Sequence, residues 1–370
     1  MPSASWLFNR TVDEAEAILD WWKHHRRNQD DSDRFHIQSY RGHGTADQLY
    51  ISGRVFAGDP VPPANKQDAV FRNLWSTVRR LGSDEVPLAR IRATIEGQST
   101  VVLADDEGFF EVNLPARTMA GATEVWREID LELIDPRSAG GPVTTRGLSI
   151  VPPREARFGI ISDIDDTVVR TDVANMMRMM RLVLLTNAHT RLPFEGVASF
   201  YRALHAGPVG PSTNPIFYVS SSPWNFYDVL TEVFQVHGVP PGPLFLKDYG
   251  LAADLLLSRR HVEHKLSAIS HIFDTHSTLP FVLVGDSGQK DPEVYAEIVK
   301  RYPDRILAVY IRDVALDGRD AEVVEIGRRL RALGVDLVLV ADTLTAARHA
   351  AGLGLIDPDA LDEIRGDTLH

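Results

Sequence analysis

Beyond residue 155 the chain strings together five short apolar runs, FGIIS, IFYVS, FVLVG, ILAVYI and DLVLV, separated by stretches with the spacing of amphipathic helices. Runs so rich in Val, Ile and Phe keep no polar face for water, so a sheet built from them must be covered on both sides. That predicts a doubly wound α/β domain over residues 156–370, with ligands bound beyond the carboxyl ends of its parallel strands. Residues 1–155 follow another rule. Thr11 to Arg27 has helical spacing, and then LYISGRVFAG, LARIRATIEG, TVVLADDEGFFEVNL and VWREIDLELI alternate apolar with polar, bounded by Gly, Pro, Asp and Asn. Such segments read as antiparallel strands, and the DDEG of Asp105 to Gly108 reads as a hairpin turn. Ser138 to Arg154, dense in Gly and Pro, reads as a connector with one more strand. A β-sandwich-like first domain is expected, and a chain of 370 residues has room for both.

The ends of the apolar runs are unusually polar. FGIISDIDDTVV closes on Asp163, Asp165 and Asp166, followed by Thr167. Adjacent carboxylates repel, and burying them unpaired costs several kcal/mol, so this strand end implies a cation or chemistry that needs one. The second run ends in SSSPWN, where Ser222 can cap a helix starting at Pro223 and the free amides can face an anion. The third ends in GDSGQKDPEVY, with Asp286 on the loop, Asp291 as expected cap and Pro292 as first helical residue. Just upstream, HKLSAISHIF places Lys265 at the expected start of a helix, within reach of the same edge.

The motifs SDIDDT, YVSSSPWN, HK and GDSGQKDPEVY resemble, in this order over roughly residues 145–315, the four motifs of the haloacid-dehalogenase superfamily. More narrowly they resemble the catalytic domain of the actin-patch type of Mg²⁺-dependent phosphatidate phosphatases and its bacterial relatives. The resemblance implies a haloacid-dehalogenase-like sheet, with a small helical cap at about 171–206 where that family has one. The first domain looks like the transthyretin-like module often found ahead of such a domain.

The chemistry follows from residue types. Phosphate monoester cleavage asks a protein to align an in-line nucleophile and neutralise charge. Asp163 is the candidate nucleophile, forming an aspartyl phosphate. Asp165, two residues on and on the same face of an extended segment, is the candidate acid and base. The resemblance assigns the same two roles. Mg²⁺ prefers oxygen ligands, and Asp163, the Asp165 carbonyl and Asp286 offer them, with Asp291 either a further ligand or an orienting group. Ser220 and Lys265 are candidates to hold phosphoryl oxygens, with Thr167, Ser221 and Ser222 as further substrate contacts.

Other features bound the function. A formal net charge of −12 disfavours a sequence-independent grip on nucleic acid. No stretch reaches the ~18 apolar residues of a membrane span, and MPSASWLFNRTVDEAEAILDWW lacks the basic start and apolar block of a signal peptide, so a cytoplasmic protein is expected. The absence of cysteine removes disulfides and thiolate metal sites. His261, His264, His271 and His276 lack zinc-site spacing and read as an ordinary helix face. Asp166 and Lys290 read as turn residues. MMRMMRLVLLTN, Met176 to Asn187, and the N-terminal Trp6, Trp21 and Trp22 suit either core packing or peripheral contact with a lipid surface. The expected function is a Mg²⁺-dependent phosphatase acting on a phosphorylated lipid, with phosphatidate converted to diacylglycerol. The competing readings are a small-molecule phosphatase, a receiver-like signalling domain, and a non-catalytic scaffold. The receiver-like reading is disfavoured because such domains place their acidic pair and phospho-acceptor on different strands.

Overall fold

The computed structural model describes residues 34–58, 85–116, 125–164, 196–208, 214–247, 257–314 and 319–368. The expected N-terminal helix, Asp165 to Thr167, the Met176 to Asn187 segment and Trp6, Trp21 and Trp22 lie outside them. The chain divides into two compact units, Met1–Val151 and Pro152–His370.

The first unit holds β1 (Phe35–Gly44), β2 (Gln48–Ala57), β3 (Arg90–Ile95), β4 (Gln98–Leu103), β5 (Phe109–Pro115), β6 (Trp126–Asp135) and β7 (Val143–Ile150). They form one seven-stranded sheet in the order β4-β3-β6-β7-β1-β2-β5. Every neighbouring pair is antiparallel except β1 and β7, which run parallel. Alternation sets the faces: on β5, Phe110, Val112 and Leu114 point inward while Glu111, Asn113 and Pro115 point out. Ile91 of β3 and Phe110 of β5 share one core with Ile51 and Ile129, although β3 and β5 lie toward opposite ends of the sheet. A sheet can bring both ends to one core only by curling, and the edge strands β4 and β5 approach within 8 Å.

That finding corrects the expected sandwich: the layer is one continuous, nearly closed, barrel-like sheet. The Asp105–Gly108 turn does form, with the Gly108 amide donating to the Asp105 carbonyl at 3.1 Å and the Asp105 carboxylate accepting from the Glu107 and Phe109 amides, both at 2.9 Å. It is nevertheless not a hairpin turn. β4 pairs with β3 and β5 pairs with β2, so the turn spans the two edges of the curled sheet.

The second unit contains β8 (Gly159–Asp163), α1 (Val197–Ala206), β9 (Ile216–Pro223), a 3-10 turn (Trp224–Phe226), α2 (Tyr227–Val236), β10 (Leu244–Lys247), α3 (Leu257–Thr275), β11 (Phe281–Asp286), α4 (Asp291–Arg301), β12 (Ile306–Arg312), α5 (Asp320–Arg331), β13 (Leu337–Val340), α6 (Thr343–Gly352) and α7 (Ala360–Thr368). The strands form a parallel sheet in the order β10-β9-β8-β11-β12-β13. Strand order therefore reverses between β8 and β11, which opens a crevice at their carboxyl ends. Ile161, Phe217, Leu283, Val309 and Ile311 face α3, α4 and α5 through Ile269, Phe273, Val294, Ile298 and Ile326. Residues of opposite parity point the other way. Tyr310 meets Phe200 of α1 edge-on at 5.7 Å and His349 of α6 at the same separation.

β10, too short and too flanked by Pro and Gly to stand out, is a strand the sequence reading omitted. The expected cap also needs correction. Its last stretch is α1, whose Phe200 and Tyr201 pack on Tyr310 and Tyr218 of the unit's own sheet and whose Leu204 is also buried. Its carboxyl-terminal side is tied to α7 by Arg202, which pairs with Glu363 at 2.7 Å and Asp367 at 3.4 Å. Residues 171–195, the rest of the expected cap, lie outside the described part. The observed fold is mixed α/β, with a curled antiparallel-rich sheet and a parallel sheet, and the described residues do not form the expected haloacid-dehalogenase-like domain with a helical cap behind a sandwich.

Candidate active site

β8 is buried from Gly159 to Ser162 and delivers Asp163 at its end. β11 lies beside it, Val284 opposite Ser162, and ends at Asp286. Asp291 opens α4 one tight loop later, and α3 brings Lys265 from the covering layer. Lys265 Nζ lies 2.7 Å from Asp163 Oδ1 and 2.6 Å from Asp291 Oδ1, and donates to Gln289 Oε1 at 3.4 Å. The second Asp291 oxygen accepts the Asp286 backbone N–H at 3.1 Å. Asp286 Oδ1 in turn accepts the amides of Gly288 at 2.7 Å and Gln289 at 3.2 Å. Oxygens of Asp163, Asp286 and Asp291 all lie within 4.8 Å of one another. Gly285 is required here: a Cβ on it would stand 2.6 Å from Asp291 Oδ2.

The electrostatics are lopsided. Burial opposes the Lys265 charge, yet Asp163 and Asp291 overcome it and hold the ammonium pKa above its ordinary value. Three carboxylates gather beside one ammonium in a region where Asp291 is 0% and Asp286 5% exposed. An all-oxygen donor set with excess buried negative charge is what Mg²⁺ takes. Beneath it, Tyr295 donates to the Val284 carbonyl at 2.7 Å. Burial, then Asp291 and Asp163, raises its pKa well above the usual phenol value, so it stays neutral.

Ser220, Ser221 and Ser222 are buried at the end of β9. Val219 pairs with Asp163 across the sheet, so Ser220 stands one step beyond the candidate nucleophile. Its hydroxyl accepts the Ser222 amide at 3.0 Å. His264, next to Lys265, is largely buried, and burial lowers its pKa to about 4.

Asp163, Lys265, Asp286 and Asp291 are thus brought together, and Ser220 to Ser222 occupy the adjacent strand end. Asp165 and Thr167 lie outside the described residues. Three local expectations are corrected. Ser222 caps no helix, because Pro223 is extended at φ −70°, ψ 153° and α2 begins only at Tyr227. Asp291 is the first residue of α4 rather than its cap, since its carboxylate is turned to Lys265 and the Asp286 amide. Lys265 lies in the third turn of α3, because the helix already starts at Leu257. Gln289 was missed although it sits inside a quoted motif. Arg319, which grips the same loop from outside every motif, left no signal in the sequence. Among the described residues no histidine joins a metal-ligand cluster, the His261 side chain lying outside them.

Comparison with known proteins shows what this part of the chain is similar to. Residues 158–313 match the family described as phosphatidate phosphatase APP1, catalytic domain. The chain is 35% identical over 156 residues to the phosphatidate phosphatase APP1 of Saccharomyces cerevisiae, covering 42% of this chain and 26% of that protein. It is 28% identical over 263 residues to an uncharacterized protein of Schizosaccharomyces pombe, covering 66% of this chain and 40% of that protein. The chain thus spans well under half the length of either relative. Among solved structures, a carbohydrate acetylesterase from Xanthomonas citri overlaps 89% of this chain and 71% of its own at a TM-score of 0.26 and 12% identity, too slight a likeness to carry an argument.

Proposed function

From the match of residues 158–313 to the phosphatidate phosphatase APP1 catalytic-domain family, we propose that the chain is a Mg²⁺-dependent phosphatase that hydrolyses a phosphate monoester, with phosphatidate as substrate and diacylglycerol and inorganic phosphate as products. The observation that carries it is the buried Asp163 carboxylate held 2.7 Å from Lys265 in a cluster with excess negative charge. Lys265 reduces repulsion between Asp163 and an incoming phosphate and donates to its oxygens. Asp163 attacks phosphorus, a P–O bond forms to its carboxylate, and the bond to the lipid oxygen breaks. The departing alkoxide takes a proton from Asp165, which then takes one from the water that cleaves the aspartyl phosphate and frees inorganic phosphate. Buried Ser220 and its neighbouring amides and hydroxyls suit phosphoryl oxygens. Bound Mg²⁺, held by Asp163, Asp286 and the Asp165 carbonyl, would supply charge neutralisation. Asp291 serves chiefly to orient, because its two oxygens are engaged by Lys265 and the Asp286 amide.

A lipid substrate is supported by the relative's name and by MMRMMRLVLLTN, where flexible apolar residues stand beside arginines. Contact with a membrane would be local, since a net charge of −12 opposes an anionic bilayer. The test is phosphate release from phosphatidate in mixed micelles against a soluble aryl phosphate, with Mg²⁺ and with chelator. Faster, surface-concentration-dependent, Mg²⁺-requiring turnover of phosphatidate is expected, with Asp163→Asn reducing it by at least about a thousandfold in a folded protein. Better turnover of soluble phosphates would instead make the chain a small-molecule phosphatase, and full activity in chelator would remove the metal.

A further inference from the structure

We propose that Arg319 is a positioning residue that clamps the loop presenting Asp286. The inference rests on the reading of that aspartate as a metal ligand. Arg319 belongs to none of the motifs: it immediately precedes α5, after the next strand in sequence. Its Nη1 donates to the Ser287 carbonyl at 3.1 Å and also to the Gln289 carbonyl, while Nη2 pairs with Glu293 of α4 at 2.6 Å. The loop is therefore gripped from two sides. The amides of Gly288 and Gln289 point at Asp286 Oδ1, and the carbonyls of Ser287 and Gln289 point at Arg319. A planar guanidinium can hold two carbonyls and a carboxylate at fixed angles, which an ammonium cannot do.

Two further bonds fasten this loop to the chain leading toward Arg319. The Ser287 amide donates to the Arg312 carbonyl at 2.8 Å, and the Val314 amide donates to Ser287 Oγ at 3.0 Å. The packing leaves no slack: a Cβ on Gly288 would stand 2.9 Å from Val314 Cγ2 and 3.2 Å from Asp286 Oδ1. Without Arg319 the two carbonyls lose this donor in a partly buried place, and the loop loses its outer tether. Any movement of the loop shifts the amides that aim Asp286 and the Gln289 side chain that meets Lys265.

The experiment uses the full chain as wild type, Arg319→Ala, Arg319→Lys and Arg328→Ala, the last breaking an exposed pair with Glu325 on the same helix. Hydrogen exchange at Gly288 and Gln289, Mg²⁺ binding by calorimetry, and thermal midpoint are measured on each. Arg319→Ala should exchange about tenfold faster at those amides and bind Mg²⁺ about tenfold more weakly, the range typical of groups that orient metal ligands. Arg319→Lys should fall between, and also serves if the alanine variant does not fold. Arg328→Ala should match wild type. Unchanged exchange in folded Arg319 variants would overturn the clamp, and faster exchange with an unchanged Mg²⁺ constant would overturn its link to the site. A wild type that binds no Mg²⁺ would defeat the proposed function instead, while the exchange arm would still decide the clamp.

Discussion

Each unit buries one basic side chain between two acids, and the two arrangements differ in where the surplus negative charge goes. In the first unit Arg54 is 2% exposed and pairs with Glu85 at 3.2 Å and Glu107 at 2.8 Å. Those glutamate side chains are 21% and 32% exposed, so water shares their charge. In the second unit Lys265 pairs with Asp163 and Asp291, whose side chains are 3% and 0% exposed, and Asp286 adds a third carboxylate. A cation between two acids is an ordinary structural device when the acids reach solvent. When they do not, water cannot relieve the imbalance, and the Mg²⁺ proposed above would offset it.

The sharpest way to break this comparison is to remove each cation. Lys265→Met leaves two buried carboxylates facing each other and should destabilise the second unit by about 3–5 kcal/mol. Arg54→Met leaves glutamates that can swing to water and should cost the first unit about 1–2 kcal/mol. Urea unfolding followed by hydrogen exchange in β11 and β6 reads the units separately, and equal losses would erase the distinction.

Acid offers a second, smaller contrast. Burial lowers the pKa of both His264 and His276 to about 4 from an ordinary 6.5, so the folded second unit holds them neutral while the unfolded chain accepts protons. The stability they protect is present above pH 6.5 and is lost as pH falls toward 4, on the order of 2 kcal/mol per histidine by pH 5. The Lys265 contribution has the other sign: its raised pKa keeps the ion pairs intact below 10.5 and loses them only in stronger alkali. Denaturant midpoints at pH 7 and 5 should differ accordingly, and His276→Gln should halve the difference. A flat profile would mean that the histidines titrate normally.

The smallest effect belongs to the outer face of the first unit. Arg146 is 71% exposed and pairs with Glu128 at 3.2 Å and Asp130 at 3.7 Å. Arg146→Ala should change the midpoint by no more than about 0.5 kcal/mol, and a loss comparable to that of Arg54→Met would show that exposure is the wrong variable.

Much of the second unit was readable in advance because the information is local. The five apolar runs became strands β8, β9, β11, β12 and β13, and the acids that follow them stand at their carboxyl ends. The helix-start expectations failed where tertiary partners compete with caps. Asp291 gives its carboxylate to Lys265 instead of capping a helix, and Ser220, rather than Ser222, supplies the turn hydrogen bond before α2. In the first unit six of the seven strands were legible, β1 (Phe35–Gly44) being missed, and their partners were not. Alternation says which face of β5 is apolar, but the four-residue turn between β4 and β5 looks the same whether it closes a hairpin or bridges the edges of a curled sheet.

Residue order alone specified periodicity, strand ends rich in carboxylates and the resemblance to a phosphatase family, since each depends on side chains a few positions apart. Folding in three dimensions decided that β8 lies beside β11, that Asp163 and Asp291 meet on one lysine with Asp286 close by, and that Arg319 reaches a loop some thirty residues earlier. Those outcomes depend on which distant segments exclude water together, and desolvation, which turns a run of acids into a charged site, is a property of that packing and is not written in any short stretch of chain.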